Sequence, residues 1–302
     1  MAVSLVSAKK QKPNSKWFLW SLFALLLGAV ALLFFWAQLL SWWLNGFQTP
    51  EMAAAQYSSK DVVGNLGGLP VRLPSYAVHL VEYDGEPSWG KSKNPISRTE
   101  AIGIKSFGFY ARYPDMQMID SYASEREMNT HSIYTTMWLS IGVTSGEIYP
   151  KDGFLDRRFA CLVRSTAPPR CNTVWWGNDY ERLPKSEHGL TVYALKGLEP
   201  KSGQPAREQK NTKDVFVAKD AQGRVRTYID CSNAGHEAAP CSHDFSMEYD
   251  GMHAVIDISY RRGLLPHWQD IQHKVTLAML RFVVQAQPAS DTPKAPTASP
   301  QR

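Results

Sequence analysis

From Trp17 to Pro50 the chain carries no charged residue, and residues 17–47 read WFLWSLFALLLGAVALLFFWAQLLSWWLNGF. No other feature restricts the fold as much. At 1.5 Å of rise per residue, about 20 apolar residues cross the hydrocarbon core of a bilayer, so this run is long enough to span with length to spare for tilt. A buried core helix rarely carries large apolar side chains on every face, as this one would. Trp17 and Trp20 stand at one end and Trp42 and Trp43 at the other, where an apolar ring with a wet N–H suits the headgroup level. Lys9, Lys10, Lys12 and Lys16 precede the run, and Glu51 is the first charge after it. The positive-inside bias then keeps the N-terminus in the cytoplasm and exports everything beyond residue 50. The competing reading is a cleaved signal peptide, for which Ala53-Ala54-Ala55 supplies small residues. A signal h-region is only about 7–15 residues long and does not end in two tryptophans, so the expectation is an uncleaved inner-membrane anchor.

Net charge matters here because +5 resembles a nucleic-acid signal. The four lysines ahead of the apolar run account for most of it. They leave 29 of the 33 basic residues against 28 acidic ones. A nearly neutral main body excludes electrostatically driven nucleic-acid binding. The expected layout is a cytoplasmic stub (1–16), a transmembrane helix (17–47), a linker (48–60), a folded periplasmic domain (61–286, with a division near 200 left open) and a Pro/Ala-rich tail (287–302).

All four cysteines, Cys161, Cys171, Cys231 and Cys241, fall on the exported side, as two C-x9-C pairs. An even count in an oxidising compartment reads as disulfides. Of the three possible pairings, Cys161–Cys171 with Cys231–Cys241 is favoured, because each pair brackets a polar Pro- or Gly-containing segment flanked by strand-like residues. Each would staple a hairpin and stabilise the fold by about 2–3 kcal/mol in the chain-entropy model. The spacing argues against a zinc site built from all four. The repeated spacing also raises an internal duplication, although the surrounding residues match poorly.

Strand signals dominate the domain. They fall at Val71–Leu73, Ala101–Tyr110, His131–Val143, Leu190–Leu195, Val215–Val217, Arg224–Asp230 after the turn Asp220-Ala221-Gln222-Gly223, and Ala254–Tyr260. Helical periodicity is clearest at the end. Pro266 suits a first helical position, and Trp268, Ile271, Val275, Ala278, Met279 and Phe282 then recur at steps of three and four. A second helix is expected within 117–130. The fold class is therefore α+β, an N-terminal transmembrane helix followed by a disulfide-containing, mostly antiparallel sheet with a C-terminal covering helix.

No catalytic constellation emerges. G-x-S-x-G, H-E-x-x-H and dinucleotide motifs are missing, and Ser145 in VTSGE lacks the first glycine of an elbow. His236, Glu237, His243 and Asp244 form the densest polar cluster and read as a solvated loop rather than a metal site. The acidic sets Asp179/Glu181 and Glu82/Asp84/Glu86 read as surface charge. His131 and His253 read as hydrogen-bonded structural groups. No catalytic residue, metal, cofactor or small-molecule substrate is expected. Recognition is carried better by 172–184, NTVWWGNDYERLP, where Trp175, Trp176, Asp179, Tyr180 and Arg182 combine aromatic and charged side chains as interface hot spots do. Residues 82–98, with Trp89, Lys91, Lys93 and Arg98, read mainly as a solvated connection.

Three stretches, LGGLPVRLPSYAVHLVEYDGEP (66–87), SFGFYARYPDM (106–116) and SYRRGLLPHWQDIQHKV (259–275), resemble the periplasmic or inner-membrane proteins encoded beside type VI secretion effectors of Gram-negative bacteria. Those proteins include immunity proteins that neutralise secreted phospholipases. The strand followed by a helix bearing Pro266 and Trp268, with Tyr260 ahead of it, is similar in layout. The chain departs from the lipoprotein form of many such proteins, having a long apolar helix and no lipobox. The resemblance implies an exported α+β domain that binds a secreted effector and blocks it, with no catalytic residue to carry over. The expected function is thus a membrane-anchored, periplasmic effector-binding protein. The alternatives are an assembly component of an envelope or secretion machine, and a periplasmic hydrolase with a non-standard site.

Overall fold

A computed structural model describes residues 15–46, 60–87, 98–163, 180–199, 201–209 and 212–284. The chain divides into two compact units, Met1–Ala54 and Ala55–Arg302. In the first unit Ser15–Gly46 forms one α-helix, α1. The side chains described in it, those of residues 25–40, are exposed. Among the described residues no helix is long and apolar enough to cross a membrane.

The second unit is built on antiparallel sheet, as the residue pattern implies. The hairpin β1 (Val62–Leu66) and β2 (Leu69–Leu73) stands apart from a ten-stranded sheet. That sheet contains β3 (Val78–Tyr83), β4 (Ile104–Arg112), β5 (Gln117–Met118), β6 (Trp138–Thr144), β7 (Tyr180–Arg182), β8 (Thr191–Leu195), β9 (Lys213–Lys219), β10 (Val225–Ser232), β11 (Pro240–Tyr249) and β12 (Met252–Arg261). The order is β3-β4-β6-β12-β11-β10-β9-β8-β7, with β5 paired on β4. Strands β7 to β12 run as one meander, which returns to lie against β6. Three helices complete the unit: α2 (Tyr122–Thr130), α3 (Phe154–Val163) and α4 (Trp268–Leu280).

Period-two alternation decides the faces. Phe107 and Phe109 on β4, Leu139, Ile141 and Val143 on β6, Phe245 on β11, and Ile256 and Ile258 on β12 all enter the main core. Helix α4 closes that core with Trp268, Ile271, Val275, Ala278 and Met279, followed by Phe282. This is the stripe read from the sequence. Pro266 lies two residues ahead of the first helical residue, Trp268, in the 3-10 turn Arg262–His267 that leads into the helix. A smaller core forms on the opposite face, where Leu155 and Leu162 of α3 pack on Val215, Val217 and Tyr228.

Several expectations are corrected. Residues 131–137 are not strand. Ser132 turns the chain by accepting the Thr135 and Thr136 amides at its carbonyl, and this leaves Ile133 and Tyr134 exposed. Of the 117–130 segment, only 122–130 is helical. It is started by a capping box between Ser121 and Ser124, an arrangement worth about 1 kcal/mol. Cys161 lies in α3, not at the neck of a strand hairpin. It is disulfide-bonded, and Cys171 lies outside the described residues. The Cys231–Cys241 disulfide joins β10 and β11 at directly opposed positions, with Cα atoms 4.0 Å apart.

Candidate partner-binding face

The largest correction concerns the polar cluster around the second disulfide. Its residues belong to three different surroundings. His236 and Glu237 are exposed in the β10–β11 loop. His243 and Asp244 are consecutive in β11, so they point to opposite faces of the sheet, and both are buried. They cannot converge on one ion.

His243 faces the main core. Its Nδ1 accepts from the Tyr260 hydroxyl at 3.3 Å, and its Nε2–H donates to Gln272 Oε1 at 3.1 Å. Thr227 donates to the same oxygen at 2.9 Å. These partners require the neutral Nε2–H tautomer. Burial pushes the imidazole pKa down to about 4, against a smaller opposing effect of the Gln272 bond. The group ties α4 to the sheet and has no access to substrate.

Asp244 faces α3. Arg158 of that helix donates to Asp244 at 2.5 Å and to Asp230 at 3.1 Å, and it lies 4.3 Å from the centre of the Tyr228 ring. Lys213 is the second cation on Asp230. Burial works to lower the Arg158 pKa, but Asp244 and Asp230 outweigh it and hold the guanidinium charged. Burial raises Asp244 to about 7 despite Arg158.

Beyond this knot, register reveals a row that no single segment shows. His79, Gly108, Gly142, Asp257, Asp244 and Tyr228 are successive partners across β3, β4, β6, β12, β11 and β10. Ser106 and Thr144 flank the row on one side, and Ser140, Ser259 and Ser242 on the other. Among the described residues helix α3 covers the β7–β10 end, and its Arg158 reaches Asp244 on β11. On β6 and β12 this face is a low floor of Ser140, Gly142, Thr144 and Ser259 beside Asp257 and the buried Val255, while on β4 the His79 ring lies over Gly108. His79 stacks on Tyr110 at 4.9 Å at its far side. Asp257 stands in the floor, half-buried, accepting from Ser242 Oγ at 3.1 Å. A Cβ added at Gly142 would meet nothing closer than 3.9 Å, so the floor has free space above it. Small residues in strand interiors mark places where another backbone can approach closely.

Of the residues singled out from the sequence, Trp175, Trp176 and Asp179 lie outside the described residues. Tyr180 begins β7 with its ring buried, and its hydroxyl donates to the Lys213 carbonyl at 3.1 Å. Burial, followed by the charges of Asp230 and Asp214, raises its pKa to about 12. Arg182 is exposed on the same strand at the sheet edge. Gly108, Gly142 and Asp257 were missed. Only the strand register assembles them, and nothing in their local sequence marks them.

No family model matches the chain, and no curated protein matches it. Among solved structures it is similar to Smlt3025, an immunity protein of the Stenotrophomonas maltophilia type IV secretion system. The identity is 18%, the TM-score is 0.47, and the match covers 75% of this chain and 94% of that one.

Proposed function

We propose that this chain is an immunity or accessory protein that binds and blocks a secreted antibacterial effector. The effector would come from a type VI system, with a phospholipase as the first candidate. The domain works in the periplasm, tethered to the inner membrane by the apolar helix that begins near Trp17. The reading is the one implied by the resemblance of 66–87, 106–116 and 259–275 to such proteins. The observation that carries it in the structure is the floor of Gly142, Ser140, Thr144 and Ser259 around Asp257, half-buried or exposed among the described residues. A partner's strand or loop can lie on this floor with little displacement of side chains, and Asp257 offers it a charge-assisted acceptor.

The test is protection. The full chain is produced in a susceptible strain together with the candidate effector encoded beside its own gene, directed to the periplasm. The wild type should protect. Gly142→Phe fills the floor at a position with room for a side chain; it should accumulate normally and lose at least tenfold in protection. Protection by Gly142→Phe equal to wild type would remove this face from the interface. Failure of the wild type to protect would remove the effector.

A further inference from the structure

Asp152, Glu248 and His253 come from three segments and meet at one rim of the domain, where one ligand atom from each lies within 4.8 Å of the others. We propose that they form a binding site for one divalent transition-metal ion, with zinc the best fit. The inference does not rest on the proposed effector role.

The chemistry of the donor set is the first argument. Two carboxylates with one imidazole suit zinc, which binds oxygen and nitrogen at about 2.0–2.2 Å in tetrahedral geometry. Calcium requires six to eight oxygen donors and magnesium keeps to oxygen ligands, so the imidazole selects against both. Tetrahedral ligands at these bond lengths are about 3.4 Å apart. The three side chains are exposed and can close the remaining distance by rotation.

The second argument is how the three are held. Glu248 and His253 are directly opposed on β11 and β12, so both project from one face. The His253 backbone is fixed from both sides: its N–H donates to the Gly67 carbonyl at 3.0 Å, and its carbonyl accepts from the buried Ser145 hydroxyl at 2.7 Å. Asp152 sits in the loop before α3, and Arg157 binds that loop by donating to the Asp152 and Pro150 carbonyls at 2.7 and 2.6 Å. Tyr149 reaches both sides, with its ring 6.0 Å from the His253 ring and its hydroxyl donating to Asp152 Oδ1 at 3.4 Å. An outer partner of this kind orients a metal-ligating carboxylate.

The third argument is charge and space. Arg157 is occupied by backbone carbonyls, and Arg224 pairs with Asp220 at 3.0 Å. Among the described residues no cation forms an ion pair with Asp152 or Glu248, although Arg224 and Arg226 line the same cleft as these carboxylates. That cleft, of about 180 Å³, does not include His253 in its wall; it has room for a water beside the two carboxylates.

The experiment uses the full chain in detergent micelles, freed of metal by chelation and titrated with zinc chloride by calorimetry. Calcium chloride is titrated in parallel. One zinc ion per chain is expected, with calcium binding at least a hundredfold weaker. His253→Ala and Glu248→Gln should each weaken zinc at least tenfold while leaving the metal-free melting temperature unchanged. Asp152→Asn replaces either variant that melts early. Absence of stoichiometric zinc binding, zinc binding that survives these substitutions, or a preference for calcium would each overturn the site.

Discussion

Asp244 and Asp257 face each other directly across β11 and β12, two carboxylates at opposed positions on one face of the sheet. Opposed like charges destabilise a strand pair, and among the described residues only Asp244 has an arginine, Arg158. Burial, countered by Arg158 and reinforced by Asp257 and then Asp230, places Asp244 at about 7, well above the ordinary carboxylate range. Because the folded value is the higher one, the folded state binds the extra proton between about pH 4 and 7. Its contribution to stability is complete below that window and is lost as pH rises through 7. In urea unfolding of the domain at pH 5, 6, 7 and 8, Asp244→Asn should gain on the wild type as pH rises. A gain by the wild type instead would mean that the Arg158 ion pair dominates.

His243 gives the opposite slope. Its folded value of about 4 lies below that of an unfolded histidine. The stability it lends is present above about pH 6.5 and lost as pH falls towards 4. Replacing it with phenylalanine should flatten this part of the acid limb. Gln272→Leu removes the acceptor shared by His243 and Thr227 and leaves two buried donors unsatisfied, at a cost of about 2–3 kcal/mol. Denaturant midpoints of the two single variants and the double variant measure the coupling. Strictly additive losses would show that the hydrogen bond contributes nothing.

The same histidine shows where the sequence was legible and where it was not. Strand β11 carries Cys241, His243, Phe245 and Met247 on its buried face and Ser242, Asp244, Ser246 and Glu248 on the other. The alternation is clear once His243 is counted as a core residue. Counted as polar, it turned the strand into a loop and hid Asp244. Helix α4 was legible because its buried stripe is wholly apolar. Helix α3 was missed because the symmetry of the two C-x9-C spacings drew Cys161 into a hairpin, while the core signal there is only Leu155, Phe159 and Leu162 among charged neighbours. The floor around Gly142 was not legible at all. Its residues are small and unremarkable singly, and only pairing between strands distant in sequence brings them together.

Tyr180 separates a core role from an interface role. Its ring packs with Val215, Val217 and Tyr228 beneath α3. Tyr180→Ala therefore opens a cavity and should cost about 3 kcal/mol of stability, read as a lower urea midpoint. Arg182→Ala, on the exposed edge, should leave that midpoint unchanged. A Tyr180→Ala protein as stable as wild type would return the ring to the list of partner contacts.

The Cys231–Cys241 disulfide closes a short loop between strands already in register. Its effect falls mainly on the unfolded chain, whose freedom it reduces, and should amount to about 2–3 kcal/mol. The paired variant Cys231→Ala with Cys241→Ala should keep the β10–β11 pairing, because Tyr228↔Asp244 and Ile229↔His243 hold the register beyond the bond. Exchange of backbone amides with deuterium should speed up within 233–239 and stay slow in α4. Peptide mapping of the non-reduced protein should recover Cys231 linked to Cys241. Recovery of Cys231 linked to Cys161 would contradict the strand register itself, since Cys161 lies on α3 against the opposite face from the one Cys231 enters.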